Sequence, residues 1–176
     1  MKPPILLTCL ALAACSRAVS VAGDTSARAS AQIQNAAGET VAVASLRQEP
    51  AGVVIAITAS GLSGGSHGIH IHTVGTCAAA GATPFGSAGG HFNPLGKAHG
   101  LSNPNGAHAG DMPNLVIGPD GKGELRVTND RVTLTGGANA LLDADGSAIV
   151  IHAGPDDQMS DPAGNSGARV ACGVIH

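Results

Sequence analysis

Ser66-His67-Gly68-Ile69-His70-Ile71-His72-Thr73 (SHGIHIHT, residues 66–73) sets two histidines two positions apart in an apolar, β-prone run. A strand turns successive side chains to opposite faces, so residues i and i+2 share one face. His70 and His72 then project together, with Ile69 and Ile71 on the other side. Two imidazoles on one rigid face are half of a four-coordinate metal site. The rest of the chain supplies the other half.

The 176 residues are enough for one domain with a real core. Charged residues make up only 12%, aromatics 1%, and there are 26 glycines. Such a composition suits a loop-rich β protein and excludes a coiled coil or a charged disordered chain. The net charge is −3, no basic run occurs, and Phe85 and Phe92 are the only rings of their kind. That argues against nucleic-acid binding. Of eight histidines, six fall between Ser66 and Ala109.

Residues 1–14, MKPPILLTCLALAA, put one lysine ahead of a short apolar run that ends in small residues. The run is too short to span a bilayer and fits a secretory signal. Leu12-Ala13-Ala14-Cys15 resembles the bacterial lipoprotein signal, in which the cysteine becomes the lipidated first residue. Residues 15–30 then read as the lipidated Cys15 and a small, polar tether, and residues 31–176 as the folded domain. Export places the domain in the periplasm or cell envelope. Ser16, where an aspartate would favour retention at the inner membrane, points to the outer membrane. With Cys9 in the signal and Cys15 lipidated, Cys77 and Cys172 remain, and an even pair in an exported chain reads as one disulfide.

From Ala31 onward the apolar runs are short and bounded by turns. Ala31–Asn35 and Thr40–Arg47 read as a hairpin. Gly52–Ala59 puts Val53, Ile55 and Ile57 on one face, and the histidine strand follows the turn at 61–65. Gly75–Met112 is rich in Gly, Pro, Asn and His and has no sustained period. A loop of that length in a compact domain needs a function or a pin. Strand patterns resume at Asn114–Ile117, Gly123–Thr128, Val132–Thr135, Ala148–His152 and Arg169–Ile175, with a second irregular stretch at Ala153–Gly167. About eight short strands and no helix argue for an all-β fold. We expect an eight-stranded antiparallel Greek-key barrel or sandwich with two long functional loops.

The first loop holds His91, His99, His108 and Asp111. Three imidazoles and a carboxylate are a tetrahedral zinc set. A metal would also hold a polar loop that has too little apolar surface to pack. His152, at the end of an apolar strand, supplies a third imidazole beside His70 and His72.

GIHIH (68–72), GGHFNP (89–94), KAHG (97–100), AHAGDMPN (107–114), IVIHAG (149–154) and GNSGARVACGVI (164–175) occur in one order. On these six motifs the chain resembles the copper/zinc superoxide dismutases, and its exported, lipoprotein-like form resembles their bacterial branch. The resemblance implies one copper and one zinc ion per chain. It assigns His70, His72, His91 and His152 to copper. It assigns His91, His99, His108 and Asp111 to zinc, with His91 shared between the two metals. It implies a Cys77–Cys172 disulfide, and an Arg169 that stands beside copper and attracts a small anion. Asp156, with Asp157 as its competitor, is the carboxylate that orients His70 and His99. His67 matches a histidine near the site that binds no metal. Superoxide is the implied substrate, with His91 passing it a proton.

Three features depart from the common pattern. Only four residues separate His72 from Cys77, as in the bacterial branch. The second loop has no lysine and carries Asp156, Asp157 and Asp161. That leaves any steering of superoxide to residues elsewhere, such as Lys97, Lys122 or Arg126. The shortage of aromatic residues leaves homodimer and monomer both open. The alternative function on the same fold is a copper-binding or copper-delivery protein without activity, whose mark is a lost copper ligand. All four copper positions here are histidine.

Overall fold

The computed structural model describes residues 26–176. The signal segment, Cys15 and the tether up to residue 25 lie outside the described residues. Nine strand segments carry the fold: β1 (Arg28–Asn35), β2 (Thr40–Glu49), β3 (Gly52–Ser60), β4 (Gly65–His67), β5 (Ile69–His72), β6 (Leu115–Ile117), β7 (Lys122–Asn129), β8 (Ala148–His152) and β9 (Arg169–Val174). β4 and β5 are one strand interrupted at Gly68, so the segments make eight strands. Gly68 is required there: a Cβ would lie 2.7 Å from the Ser166 Cβ and 3.2 Å from that of Asp156. The break lets the second long loop press against the strand.

Seven segments form an antiparallel sheet in the order β5-β8-β9-β1-β2-β3-β7, and β4 pairs with β6. The two edges meet through that pair. β4 continues into β5 at one edge. At the other, β6 turns into β7, where the Gly118 N–H donates to the Lys122 carbonyl at 2.7 Å. The strands thus wrap into an antiparallel Greek-key barrel.

The inward residues follow the period of two. β1 buries Ala29, Ala31 and Ile33, and β3 buries Val53, Ile55 and Ile57. They pack with Ile69, Ile71, Leu115, Ile149 and Ile151 in one core. β8 is buried on both faces. Ile149 and Ile151 enter the barrel, while Ala148 and Val150 face outward against Phe85, Ala88 and Cys172. That outer cluster lies under the first long loop. The loop is tied to β9 by a Cys77–Cys172 disulfide with a Cα–Cα distance of 5.6 Å.

Two expectations differ from the structure. β1 begins at Arg28, not Ala31, because Ala29 continues the small inward row and Arg28 pairs with Arg47. Val132–Thr135 is not a strand. Its backbone makes one isolated bridge, Thr133 to Ala140, and the Leu134 N–H donates to the Gln48 side chain at 2.9 Å. Gly136 and Gly137, at φ 77° and 80°, turn the chain back before a ladder can form. The alternating V-T-L-T pattern reports burial of Val132 and Leu134 in the core without strand pairing.

Leu134 is fully buried although no ladder holds it, whereas Val116 sits in a strand but is 64% exposed. Leu134→Ala is expected to cost about 2–5 kcal/mol in urea unfolding. Val116→Ala should stay within about 0.5 kcal/mol. Equal losses would mean that strand pairing, and not burial, sets the stability of these positions.

Candidate metal centre

A metal ligand needs an unprotonated lone pair aimed at a shared point, and a bond elsewhere on the ring that fixes its direction. Four ring nitrogens fit this description. His70 Nδ1, His72 Nε2, His91 Nε2 and His152 Nε2 are buried and have no hydrogen-bond partner. Donor atoms of these four residues all lie within 4.8 Å of one another. Four nitrogens about 2.0 Å from one ion lie at most about 4 Å apart, so small ring movements close the set. In each ring the opposite nitrogen is engaged. His72 Nδ1 donates to the Gly89 carbonyl at 3.0 Å, and His152 Nδ1 to that of Gly167 at 3.1 Å. His70 Nε2 meets Asp156 Oδ2 at 2.7 Å, and His91 Nδ1 meets Asp111 Oδ1 at 2.9 Å. These partners leave the four orphan nitrogens as acceptors, which suits copper in either of its charge states.

The strands place the rings. β5 presents His70 and His72 from one face, and its neighbour β8 ends at His152, where the register slips. His91 arrives from the first loop, held by a bridge to His72 and by the Phe92 N–H donating to the Ile71 carbonyl at 2.8 Å. Its ring stacks on His70 with centroids 3.9 Å apart.

A second set forms around Asp111 Oδ1. His91 Nδ1 lies 2.9 Å from it, His99 Nδ1 3.0 Å and His108 Nδ1 3.4 Å. His108 Nδ1 is 3.3 Å from His91 Nδ1. A tetrahedral ion with ligands at about 2.0–2.1 Å needs edges of about 3.3–3.4 Å, close to these values. His70 also has a donor within 4.8 Å of His91, His99 and Asp111, but its Nε2 is taken by Asp156. His108 is the remaining imidazole against Asp111 Oδ1. Asp111 Oδ2 is held by the N–H groups of Gly100 at 2.8 Å and His108 at 2.9 Å. The donors of the two sets fit copper and zinc, and His91 places one ring nitrogen in each set.

Asp156 joins the sets. Its Oδ2 takes His70 and its Oδ1 takes His99 Nε2 at 3.0 Å. Gly164, at φ 59°, lies against that contact: a Cβ there would fall 1.7 Å from Asp156 Oδ1 and 2.8 Å from His99 Nε2. Asp157 does not compete. It faces solvent and accepts from the N–H groups of Met159 and Ser160 and from Asn165.

Burial dominates the electrostatics of the copper-side rings. It lowers His70 and His152 to about 4 and His72 to about 2, with smaller contributions from their histidine neighbours. Burial also lowers His108. For His99 burial works against the charge, but hydrogen bonds to Asp111 and Asp156 outweigh it and raise the ring to about 9. Burial opposes the charge on both carboxylates too, yet bonds from His91 and His99 to Asp111, and from His70 and His99 to Asp156, hold them well below the usual range.

Arg169 extends from the start of β9. Its guanidinium donates to the Phe85 carbonyl at 2.7 Å and the Gly89 carbonyl at 2.6 Å. Gly89 thus accepts from both Arg169 and His72. His67 stands beside the set, with Nδ1 at 2.7 Å from the His152 carbonyl and Nε2 at 2.9 Å from that of Ser63. Three contributors escaped sequence reasoning. Asn114 clamps Asp156, donating to its carbonyl and accepting from its N–H, both at 2.8 Å. The Gln158 N–H donates to Asp156 Oδ1 at 2.6 Å. Asp161 accepts from the His99 N–H. The Asn114 side chain sits at the end of a quoted motif, but its partner is 42 positions away and no local pattern announces it.

A model of the copper/zinc superoxide dismutase family matches residues 24–175. A superoxide dismutase [Cu-Zn] of Aquifex aeolicus is 48% identical over 150 residues, which are 84% of this chain and 86% of that protein. One from Deinococcus radiodurans is 39% identical and covers 98% of this chain and 93% of its own length. The crystal structure of a SOD-like protein from Bacillus subtilis superposes with a TM-score of 0.75 at 43% identity, over 82% of this chain and 96% of that one. With a family match across the whole described barrel, and two donor sets sharing His91, the chain belongs to the copper/zinc superoxide dismutase family.

Proposed function

We propose that the protein is an exported copper/zinc superoxide dismutase, converting superoxide to oxygen and hydrogen peroxide at the cell envelope. The observation that carries this reading is the set of four buried, partnerless nitrogens on His70, His72, His91 and His152 beside Arg169. Copper held by those nitrogens would supply one-electron chemistry, taken from one superoxide and returned to the next, while zinc at His91, His99, His108 and Asp111 has no redox role.

The remaining work falls to side chains of this chain. Arg169 binds the anion. Its two carbonyl contacts aim the guanidinium, and Gly89 keeps it in step with His72. His91 Nε2 takes up a proton and delivers it to the second superoxide, while Nδ1 stays anchored in the zinc set. Asp156 keeps His70 and His99 in orientation from their far nitrogens. Long-range attraction does not come from the second loop: Asp156 and Asp161 are engaged at the site and Asp157 is negative. The fixed charge of Arg169 is the local attractor.

The signal-like residues 1–14 and Cys15 support an outer-membrane lipoprotein facing the periplasm, reached by superoxide that arises outside the cytoplasm. Cys15→Ser should move the protein from the membrane fraction to the soluble periplasm. Unchanged membrane association would remove the lipid anchor from this reading.

Superoxide decay followed by pulse radiolysis tests the activity. The copper- and zinc-loaded chain should accelerate decay catalytically, His152→Ala should abolish it, and Arg169→Leu should slow it at least about tenfold. Stoichiometric copper binding with decay no faster than in free solution would leave a copper-holding protein without activity.

The raised His99 gives zinc binding a proton signature. Between its ordinary value of 6.5 and about 9, the folded metal-free protein holds a proton on His99 that zinc must displace. Calorimetry in buffers of different ionisation enthalpy should find about one proton released at pH 7.5, and affinity should rise with pH up to about 9. The copper-side rings have the opposite sign. Their folded values lie below 6.5, so the unfolded chain binds more protons and metal-free stability falls as pH drops from about 6.5 towards 4. A metal-free melting temperature that is flat between pH 7 and 4.5 would contradict this balance.

A further inference from the structure

The zinc-side segment His108-Ala109-Gly110-Asp111 supplies two of the four donors, and each of its carbonyls has a partner. Gly110 bonds the Ile71 N–H at 2.9 Å, an attachment to β5. The other three are held by two side chains at and just beyond the end of β7, and the His108 carbonyl also accepts from the Asp111 N–H at 3.2 Å. Asn129, which is 1% exposed, donates to the Ala109 carbonyl at 2.8 Å. Arg131 donates from Nε to the His108 carbonyl at 3.2 Å and from Nη2 to that of Asp111 at 2.8 Å. Buried carbonyls need such partners, and a planar guanidinium satisfies two of them at a fixed spacing.

Arg131 is itself held in place. Its N–H donates to Asn129 Oδ1 at 2.9 Å, and its carbonyl accepts from Asn139 Nδ2, also at 2.9 Å. The nearby ion pair with Asp130 is looser, at 3.6 Å, and its carboxylate is exposed. No bond of this fork reaches a donor atom; every one ends on the backbone beneath a donor.

We propose that Arg131 is a positioning residue for zinc: its guanidinium fork fixes the spacing between the backbones of His108 and Asp111 and so preforms the zinc cage. The inference rests on the zinc reading above and goes beyond it by assigning metal affinity to a residue that binds no metal. Fixing the two backbones before the ion arrives removes ordering cost from the binding step. The copper side depends on the fork far less, because His70, His72 and His152 ride on β5 and β8 and only His91 is shared with the zinc set.

The test is zinc affinity of the full chain, by competition with a chromophoric chelator, and the visible spectrum with cobalt(II) in place of zinc. Arg131→Met should weaken zinc about 10–100-fold, the usual range for losing a partner behind a metal ligand. It should also reduce the intense bands of tetrahedral cobalt and lower copper affinity much less than zinc affinity. Arg131→Lys keeps the charge but loses the fork, so it should restore only part of the affinity. If Arg131→Met fails to fold, the lysine variant decides alone: weaker zinc and a changed cobalt spectrum support the role. Zinc affinity within twofold of the parent and an unchanged cobalt spectrum in the folded variant would overturn it. An equal loss of copper and zinc affinity would also overturn it, as general destabilisation. A parent chain that binds no zinc would instead refute the zinc reading itself.

Discussion

Six imidazoles and two carboxylates are packed where water scarcely reaches, and the rest of the structure accommodates that fact. Polar groups removed from water must find partners or lose several kcal/mol each. Here the partners are arranged in layers. Asp111 and Asp156 neutralise the interior of the zinc side, and the carbonyls of Gly89 and Gly167 take the outer nitrogens of His72 and His152. What remains unmatched is a set of four nitrogens around one point, together with Ser147 Oγ and Gln158 Oε1 elsewhere among the described residues. A fold optimised only for stability would not leave four such groups together. Their convergence is intelligible as a cost accepted for binding copper.

The barrel makes this arrangement possible by supplying regular strands where the loops have none. β5 and β8 are adjacent and buried on both faces, so three copper-side histidines share one stiff wall. The two irregular loops offer little apolar surface beyond Phe85, Ala88, Phe92, Ala109 and Met112 of the first. They are fastened instead at discrete points: the disulfide to β9, the Arg169 fork on Phe85 and Gly89, the Asp156 carboxylate, and the Asn114 clamp. Several fastenings also touch the site, so order in the loops and geometry of the donors are one property. Closing a loop of 95 residues by the disulfide also restricts the unfolded chain, by up to roughly 4–5 kcal/mol.

What the sequence reveals follows the range of each interaction. Strand periodicity is local, and it placed Val53, Ile55 and Ile57 inward and ended β8 at His152. Histidine and carboxylate spacing is nearly local, so the gathering of His91, His99, His108 and Asp111 could be anticipated. Two misreadings have separate causes. Val132 and Leu134 alternate like a strand because they are buried, and burial does not require a ladder. Ala29 reads as tether because small residues carry weak hydrophobic signal, although four of them, Ala29, Ala31, Ala42 and Ala44, enter the core from β1 and β2. Asn114 and Arg131 could not be found at all. Each acts on the backbone of a distant residue, and backbone partners have no residue type to recognise.

This division has a consequence for how the two metal sides depend on the fold. The copper-side rings, apart from His91, are positioned by strand register, which the main core enforces through Ile69, Ile71, Ile149 and Ile151. The zinc side is positioned by polar bonds from single side chains, each replaceable without disturbing the core. Core substitutions should therefore act on stability and on both metals together. Substitutions among the polar fastenings other than Asp156 act mainly on one metal and leave the barrel standing. His91 lies on the boundary: its backbone is bonded to β5, while its Nδ1 belongs to the zinc set. Loosening the zinc side thus reaches copper through this ring and through Asp156, which holds His70 and His99 by its two oxygens, so the two sides are coupled at these two residues.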